Sequence, residues 1–324
     1  MSRHASAPQP NPRYQHPTAQ AAAADPQDMA PGALWTRGAP LLFLLLWSLG
    51  FPVSKIGIEA VDPLLFLALR FVLVLLVLLP AALWLRPPLP PRGREWGHQI
   101  VVGALIQTFY FGFCYTGFAL GASAATVALI ISLQPILVAL LAPRLLGERV
   151  DARRWLGLGL GLAGAALVIV AREAHGGDSL AGLVCAVGAL LGISAATLYE
   201  KRFGSPLHPV TANAIQYATG LVTTLPLVLL FGQYRLVWSV EMVASLGYLV
   251  VGNSLIALTL LLAMIRRGAA AQVSALFYLI PPTAALLAWL LIDEPMPMLG
   301  WVGMAVAALG VILAGRGQAT RRET

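Results

Sequence analysis

From Trp96 to Pro143 the chain runs for 48 residues without a single Asp, Glu, Lys or Arg. One helical crossing of a bilayer takes about 20 apolar residues. This stretch is therefore too long for one crossing and long enough for two, with Gly117 and Gly121 marking the turn between them. The rest of the chain is of the same kind: 58% hydrophobic and 11% charged, with a mean hydropathy of +0.79. Soluble domains have roughly 45–50% apolar and about 25% charged residues, so a water-soluble globule is excluded. Charges, prolines and glycines divide the apolar part into ten predicted spans: 38–58, 63–85, 97–118, 122–142, 154–171, 179–199, 209–231, 242–264, 269–292 and 297–315.

Residues 1–37 differ. Positions 1–33 hold six prolines and no long apolar run, which predicts a disordered cytoplasmic tail and does not fit the charged-then-apolar pattern of a signal peptide. Residues 317–324 form a second short tail. With the N-terminus in the cytoplasm and ten spans, seventeen Lys and Arg fall on the inner side, from Arg3 to Arg322, and only Lys55, Arg172 and Arg235 on the outer side. That asymmetry satisfies the positive-inside rule and accounts for the net charge of +7 without nucleic acid as a partner. The expectation is a multi-pass membrane protein with both termini cytoplasmic.

Shifted by 146 residues, the sequence meets itself. Lys55 falls on Lys201, Pro63 on Pro209, Pro80 on Pro226, Glu95 on Glu241, Pro135 on Pro281, Glu148 on Glu294, Trp155 on Trp301, Gly157 on Gly303 and Gly164 on Gly310. Each copy, 38–172 and 179–316, holds five spans. Five is odd, so the second copy enters the membrane from the opposite side. Inverted repeats are a recurring plan of secondary transporters, with the substrate site near the midplane between the halves.

Several stretches carry a family likeness: Leu46-Trp47-Ser48 followed by Lys55, Leu67-Ala68-Leu69-Arg70-Phe71, and Ala124–Pro135 leading to Gly147-Glu148-Arg149, with a Gly-rich helix from Trp155. The later half repeats the pattern as Gly268-Ala269-Ala270-Ala271, Pro281, Glu294-Pro295 and Gly310. The chain resembles the ten-helix drug/metabolite transporters built from two EamA-type repeats, over about residues 38–316. The resemblance implies an inner-membrane carrier, commonly an exporter of amino acids, other metabolites or toxic compounds. The second copy departs by carrying Gln216 where the first has Arg70.

The motifs of other chemistries have ordinary explanations. Gly159-Leu160-Gly161-Leu162-Ala163-Gly164 matches a dinucleotide fingerprint, but it lies inside an apolar span and reads as close helix packing. Glu148 and Glu294 fall on opposite sides of the membrane and cannot form a catalytic carboxylate pair; each is expected to cap or pair at a helix end, Glu148 with Arg149 or Arg153. None of the five histidines stands within four residues of another, so no metal site is expected. Cys114 and Cys185 offer neither a disulfide framework nor a CxxC motif. No P-loop or GxSxG appears. The reading is a carrier without cofactor or enzymatic activity, working on a small-molecule substrate in a lipid bilayer.

The candidate substrate-binding residues are the polar and amphipathic side chains inside the spans: Trp47, Ser48, Arg70, Gln107, Tyr110, Gln134, Tyr199, Asn213, Gln216, Asn253 and Tyr278. Arg70 lies about 10 Å inside its helix by helical rise, where charge is costly and usually functional. Snorkelling, or pairing with Glu59 or Asp62, is the plainer alternative. Lys55 reads as an anchor near its helix end. Gln107 falls on Asn253 under the repeat, which puts two amides at matching depths. Alternatives are a lipid-carrier or nucleotide-sugar translocator of the same superfamily, and a membrane-embedded enzyme on lipid-linked substrates. The second would need clustered His, Asp or Ser on one face, and the sequence has none.

Overall fold

The computed structural model describes residues 33–91, 93–146, 152–173, 177–204, 207–266 and 270–319. By internal contacts the chain divides into Met1–Gly38 and Ala39–Thr324, and the fold below is that of the second unit. It is helical throughout. In order the elements are α1 (Ala33–Glu59), α2 (Pro63–Leu85), α3 (Gly93–Gly103), α4 (Phe111–Ala119), α5 (Ala124–Ser132), α6 (Gln134–Leu146), α7 (Ala152–Glu173), α8 (Leu180–Phe203), α9 (Pro209–Phe231), α10 (Val240–Tyr248), α11 (Leu258–Arg266), α12 (Ala270–Ile292) and α13 (Met298–Ala319). A π-helical stretch, Ala104–Tyr110, joins α3 to α4, and a second, Leu249–Ala257, joins α10 to α11.

Among the described residues seven helical stretches are long and apolar enough to cross a membrane, and Ala124–Val138, Leu276–Ile292 and Met298–Leu313 are shorter apolar helices. Large apolar side chains such as Leu76, Leu83, Leu191, Val222 and Leu229 are exposed on the outside of α2, α8 and α9. In water such a surface would drive aggregation, and against acyl chains it costs nothing. The protein is an all-α, multi-pass membrane protein.

Local chemistry sets the helix ends. Pro63 and Pro209 begin α2 and α9, where a missing N–H is no loss. Asp62 caps α2 by accepting from the backbone of Leu64 and Leu65 at 3.0 and 3.1 Å. Three of the predicted spans depart from a regular α-helix. Along the predicted span 122–142 the α-helical hydrogen bonding is interrupted at Leu133, between α5 and α6: Pro135 has no N–H to donate to the Ile131 carbonyl, and the Leu133 N–H bonds the Ile130 carbonyl at 3.1 Å. Spans three and eight are not regular α-helices either, since each widens into a π-turn. The stretch 104–110, shifted by 146, lands on 250–256, inside the second π-segment.

Helices α7 and α13 pack along glycines. A Cβ added to Gly164 would stand 2.5 Å from the Gly303 carbonyl oxygen and the Ala307 nitrogen, and one on Gly310 would stand 2.6 Å from the Gly157 oxygen. Gly164 thus meets Gly303 while Gly157 meets Gly310, so the two helices run antiparallel. The pairing is also reciprocal under the 146-residue shift. Within the glycine run that begins at Gly159, Gly164 lies in this seam and Gly161 is close to Leu133 and Ile136, whereas Gly159 has nothing within 4 Å of an added Cβ. Close helix packing, not phosphate binding, explains Gly161 and Gly164.

One end of the bundle is tied by side chains. Lys55 pairs with Glu294, whose other oxygen accepts from the Ala124 backbone at 3.0 Å. Asp178 accepts from the Ser123 N–H and the Thr126 hydroxyl, both at 2.6 Å, and lies 3.5 Å from the Arg172 Nε. Arg172 also donates to the Pro295 carbonyl at 3.1 Å. A short antiparallel bridge, Val61 with Leu236, closes the same end, backed by Asp62 accepting from Gln233. Glu148, Arg149 and residues 1–32 and 320–324 lie outside the described residues; of the two predicted tails, residues 33–37 belong to α1 and 317–319 to α13.

Candidate functional site

A cavity of about 290 Å³ lies between the two halves of the sequence. That is near the lower limit of the roughly 300–1,000 Å³ usual for small-molecule sites. Its wall is drawn from α1, α2, the first π-segment, α4, α5, α6, α8, α9, the second π-segment, α11 and α12. Eight of the eleven sequence candidates line it: Trp47, Arg70, Gln107, Tyr110, Gln134, Asn213, Gln216 and Asn253. Three do not. Ser48 is fully buried and donates to the Ile280 carbonyl at 3.4 Å. Tyr199 is held by His98, whose Nδ1 lies 2.9 Å from its hydroxyl. Tyr278 is half-buried beside the cavity-lining Phe277.

Arg70 is the charge at this site, with 1% of its surface exposed. Neither Glu59 nor Asp62 pairs with it: Asp62 is spent on the α2 cap and on Gln233. Instead Nη1 donates to the Tyr115 hydroxyl at 2.8 Å, and Nη2 donates to the Ser254 hydroxyl at 2.9 Å and to the Asn253 Oδ1 at 3.2 Å. Nε also reaches Ser254, at 3.3 Å. The guanidinium lies 4.6 Å from the centre of the Phe111 ring, a cation–π distance. All of these partners are neutral, and snorkelling is ruled out by the depth of the contacts.

The amides divide. Asn253 Nδ2 donates to the Leu46 carbonyl at 3.4 Å, which Tyr248 also reaches at 2.6 Å. Gln216 donates to Gln99 at 2.9 Å, and Gln134 to Thr197 at 2.8 Å. Gln107 is different: it is buried, and its Oε1 has no hydrogen-bond partner. Gly220 makes room for it, since a Cβ there would stand 2.4 Å from the Gln107 Cβ. Trp47 lies in an aromatic group with Phe43 and Phe277, at ring separations of 5.4 and 6.3 Å.

A smaller void of about 30 Å³ lies on the far side, lined by Ser54, Cys114, Tyr115, Phe118 and Leu249 among others. Trp47, Phe51, Arg70, Tyr110, Phe111 and Asn253 line both spaces and so form the partition between them. The small void lies toward the end tied by Lys55 and Glu294. The large cavity extends the other way, to Asn213, one turn inside α9. No group of three or more His, Cys, Asp or Glu among the described residues could hold a metal.

The sequence did not point to Tyr115 and Ser254 as partners of Arg70, nor to Phe111 and Phe277 as wall. Ser254 directly follows Asn253, and successive residues of a regular helix point about 100° apart. Both lie in the second π-segment, where the turn is wider, and both bond Arg70.

The sequence has relatives. Residues 32–170 and 180–316 each match the model of the EamA-like transporter family. The chain is 23% identical over 286 residues to the inner membrane transporter YedA of Escherichia coli (strain K12), covering 87% of this chain and 90% of that one. It is 23% identical over 283 residues, 84% of this chain and 92% of the other, to an E. coli protein named "probable amino-acid metabolite efflux pump". A Streptantibioticus cattleyicolor protein named "probable terminal-alkyne amino-acid exporter" is 28% identical over 295 residues, covering 90% of this chain and 95% of its own.

Proposed function

Because the chain belongs to the EamA-like transporter family, we propose that it is a secondary transporter of the inner membrane that exports amino acids or other small metabolites or toxic compounds. Ten spans form two inverted five-helix repeats that rock around the central cavity. The observation that carries this reading is the cavity itself, which takes its wall from both halves and holds the two repeat-related amides, Gln107 and Asn253. The antiparallel, reciprocal packing of α7 on α13 supports the inverted arrangement, as does the recurrence of the π-turn. With both termini in the cytoplasm, the tied end faces outward and the cavity faces inward.

Cavity-lining Trp47, Arg70, Gln107, Tyr110, Gln134, Asn213, Gln216 and Asn253 form the substrate site on this reading. A nucleotide-sugar translocator fits less well. Among the lining residues Arg70 is the only cation, whereas a diphosphate calls for several. Purified protein in liposomes loaded with labelled amino acids tests the proposal: saturable flux above protein-free liposomes is expected. No flux of any amino acid, with nucleotide sugars exchanged instead, overturns it.

A further inference from the structure

Arg70 is a buried guanidinium with an incomplete set of partners. Among the described residues every Asp and Glu lies outside a helix or within four residues of a helix end. Arg70 is seven residues inside α2, and none of the ion pairs includes it. Among the described residues its acceptors are two hydroxyls and one amide oxygen, four bonds for about five guanidinium hydrogens. A lone charge in a low-dielectric interior is costly unless it is paired, and neutral acceptors offset only part of that cost. A second group in the same wall is incomplete in the opposite sense: Gln107 Oε1, 4% exposed in its residue, is an acceptor without a donor.

We propose that Arg70 is the receptor for a carboxylate on the transported solute, and that Gln107 takes a hydrogen bond from an N–H or O–H donor next to that carboxylate. This rests on the transporter reading above and deepens it. The carboxylate supplies the anion that none of the described residues brings to Arg70, pairing with the guanidinium fork by replacing the Ser254 hydroxyl or the Asn253 amide. Those residues belong to the second π-segment, whereas Arg70 belongs to α2. A bound solute therefore releases bonds that join the two halves across the partition between the cavities.

Four probes that share a benzyl group separate the two contacts: phenylalanine, phenylacetate, phenethylamine and phenylalaninamide. Their binding to the full-length protein in detergent is read by titration calorimetry. The two carboxylates are expected to bind about 10- to 100-fold more tightly than the two that lack one. Arg70→Gln should erase that preference, and Arg70→Lys should keep part of it, since the charge remains without the fork. If Arg70→Gln does not fold, the reduced preference of Arg70→Lys carries the test. Gln107→Leu should remove the advantage of phenylalanine over phenylacetate.

The proposal is overturned if wild type binds phenethylamine as tightly as phenylacetate, if the Arg70 variants leave the preference unchanged, or if none of the four binds. Flux into liposomes is scored separately. Carboxylate binding without flux of any probe sinks the transporter reading alone. Flux of phenethylamine at the rate of phenylalanine sinks the carboxylate receptor alone.

Discussion

Gln107 and Asn253 occupy equivalent positions in the two repeats, yet their bonding separates them. Asn253 binds Arg70 through its oxygen and the Leu46 carbonyl through its nitrogen, so it joins α1, α2 and the second π-segment. Gln107 leaves its oxygen free. Asn253→Leu removes both bonds and leaves part of a buried guanidinium unsatisfied, which costs about 1–3 kcal/mol; thermal unfolding in detergent should show a lower midpoint. Gln107→Leu gives up no acceptor contact and should unfold near the wild-type temperature, with its effect confined to solute affinity. The reverse order of stabilities would mean that Gln107, not Asn253, braces the site. An interhelical amide bond alone averages about 0.6 kcal/mol in a membrane protein, so a loss well above that marks the bond to Arg70 as the larger part.

At the level of elements, two glycines of one run, five positions apart, make opposite demands. Gly159 has nothing within 4 Å of an added Cβ, whereas Gly164 meets backbone of α13 at 2.5 Å. Gly164→Leu must push α7 from α13, at a cost of about 1–3 kcal/mol or more, and should lower the yield of folded protein. Gly159→Leu should be tolerated, since its side chain points away from the seam. Equal loss from both substitutions would restore a motif reading for the whole glycine run. The π-segments are the other notable elements. Each widens its helix where the cavity lies, as π-turns often do at functional sites, and each contributes polar side chains to the cavity wall.

For the whole molecule, the bonds at the tied end link elements far apart in sequence: Lys55 with Glu294, Ser123 and Thr126 with Asp178, and Arg172 with Pro295. On the proposed orientation this end faces outward, and Glu294→Gln should loosen it. A Ser54→Cys reporter beside the small void should then react several-fold faster with an impermeant thiol reagent added outside than it does with Glu294 intact. Unchanged labelling would show that the lock is held without this pair. Reporter fusions after Arg94, Arg202 and Arg266 should report cytoplasmic, and one after Gly176 external. An external signal after Arg202 would give both halves the same orientation and break the inverted plan.

Much of this was legible in the amino acids. Hydropathy alone marked the apolar stretches, because lipid leaves a spanning backbone few choices beyond helix. The 146-residue self-match marked the pairs Pro63 and Pro209, Gly157 and Gly303, and Gln107 and Asn253, since prolines, glycines and amides in apolar spans seldom coincide by chance. Eight of eleven chosen polar residues share one cavity because a polar group inside a membrane protein turns away from lipid. What spacing could not decide was which polar groups satisfy each other. Ser48 and Tyr199 looked like Asn253 in the sequence, but they are closed off by a carbonyl and a histidine. Arg70 had Glu59 and Asp62 nearby in sequence and took Tyr115 and Ser254 instead, residues 45 and 184 positions away. Partner choice depends on distance in space and on local helix geometry, and only the packing of α2 against α4 and the second π-segment brought those atoms within bonding range.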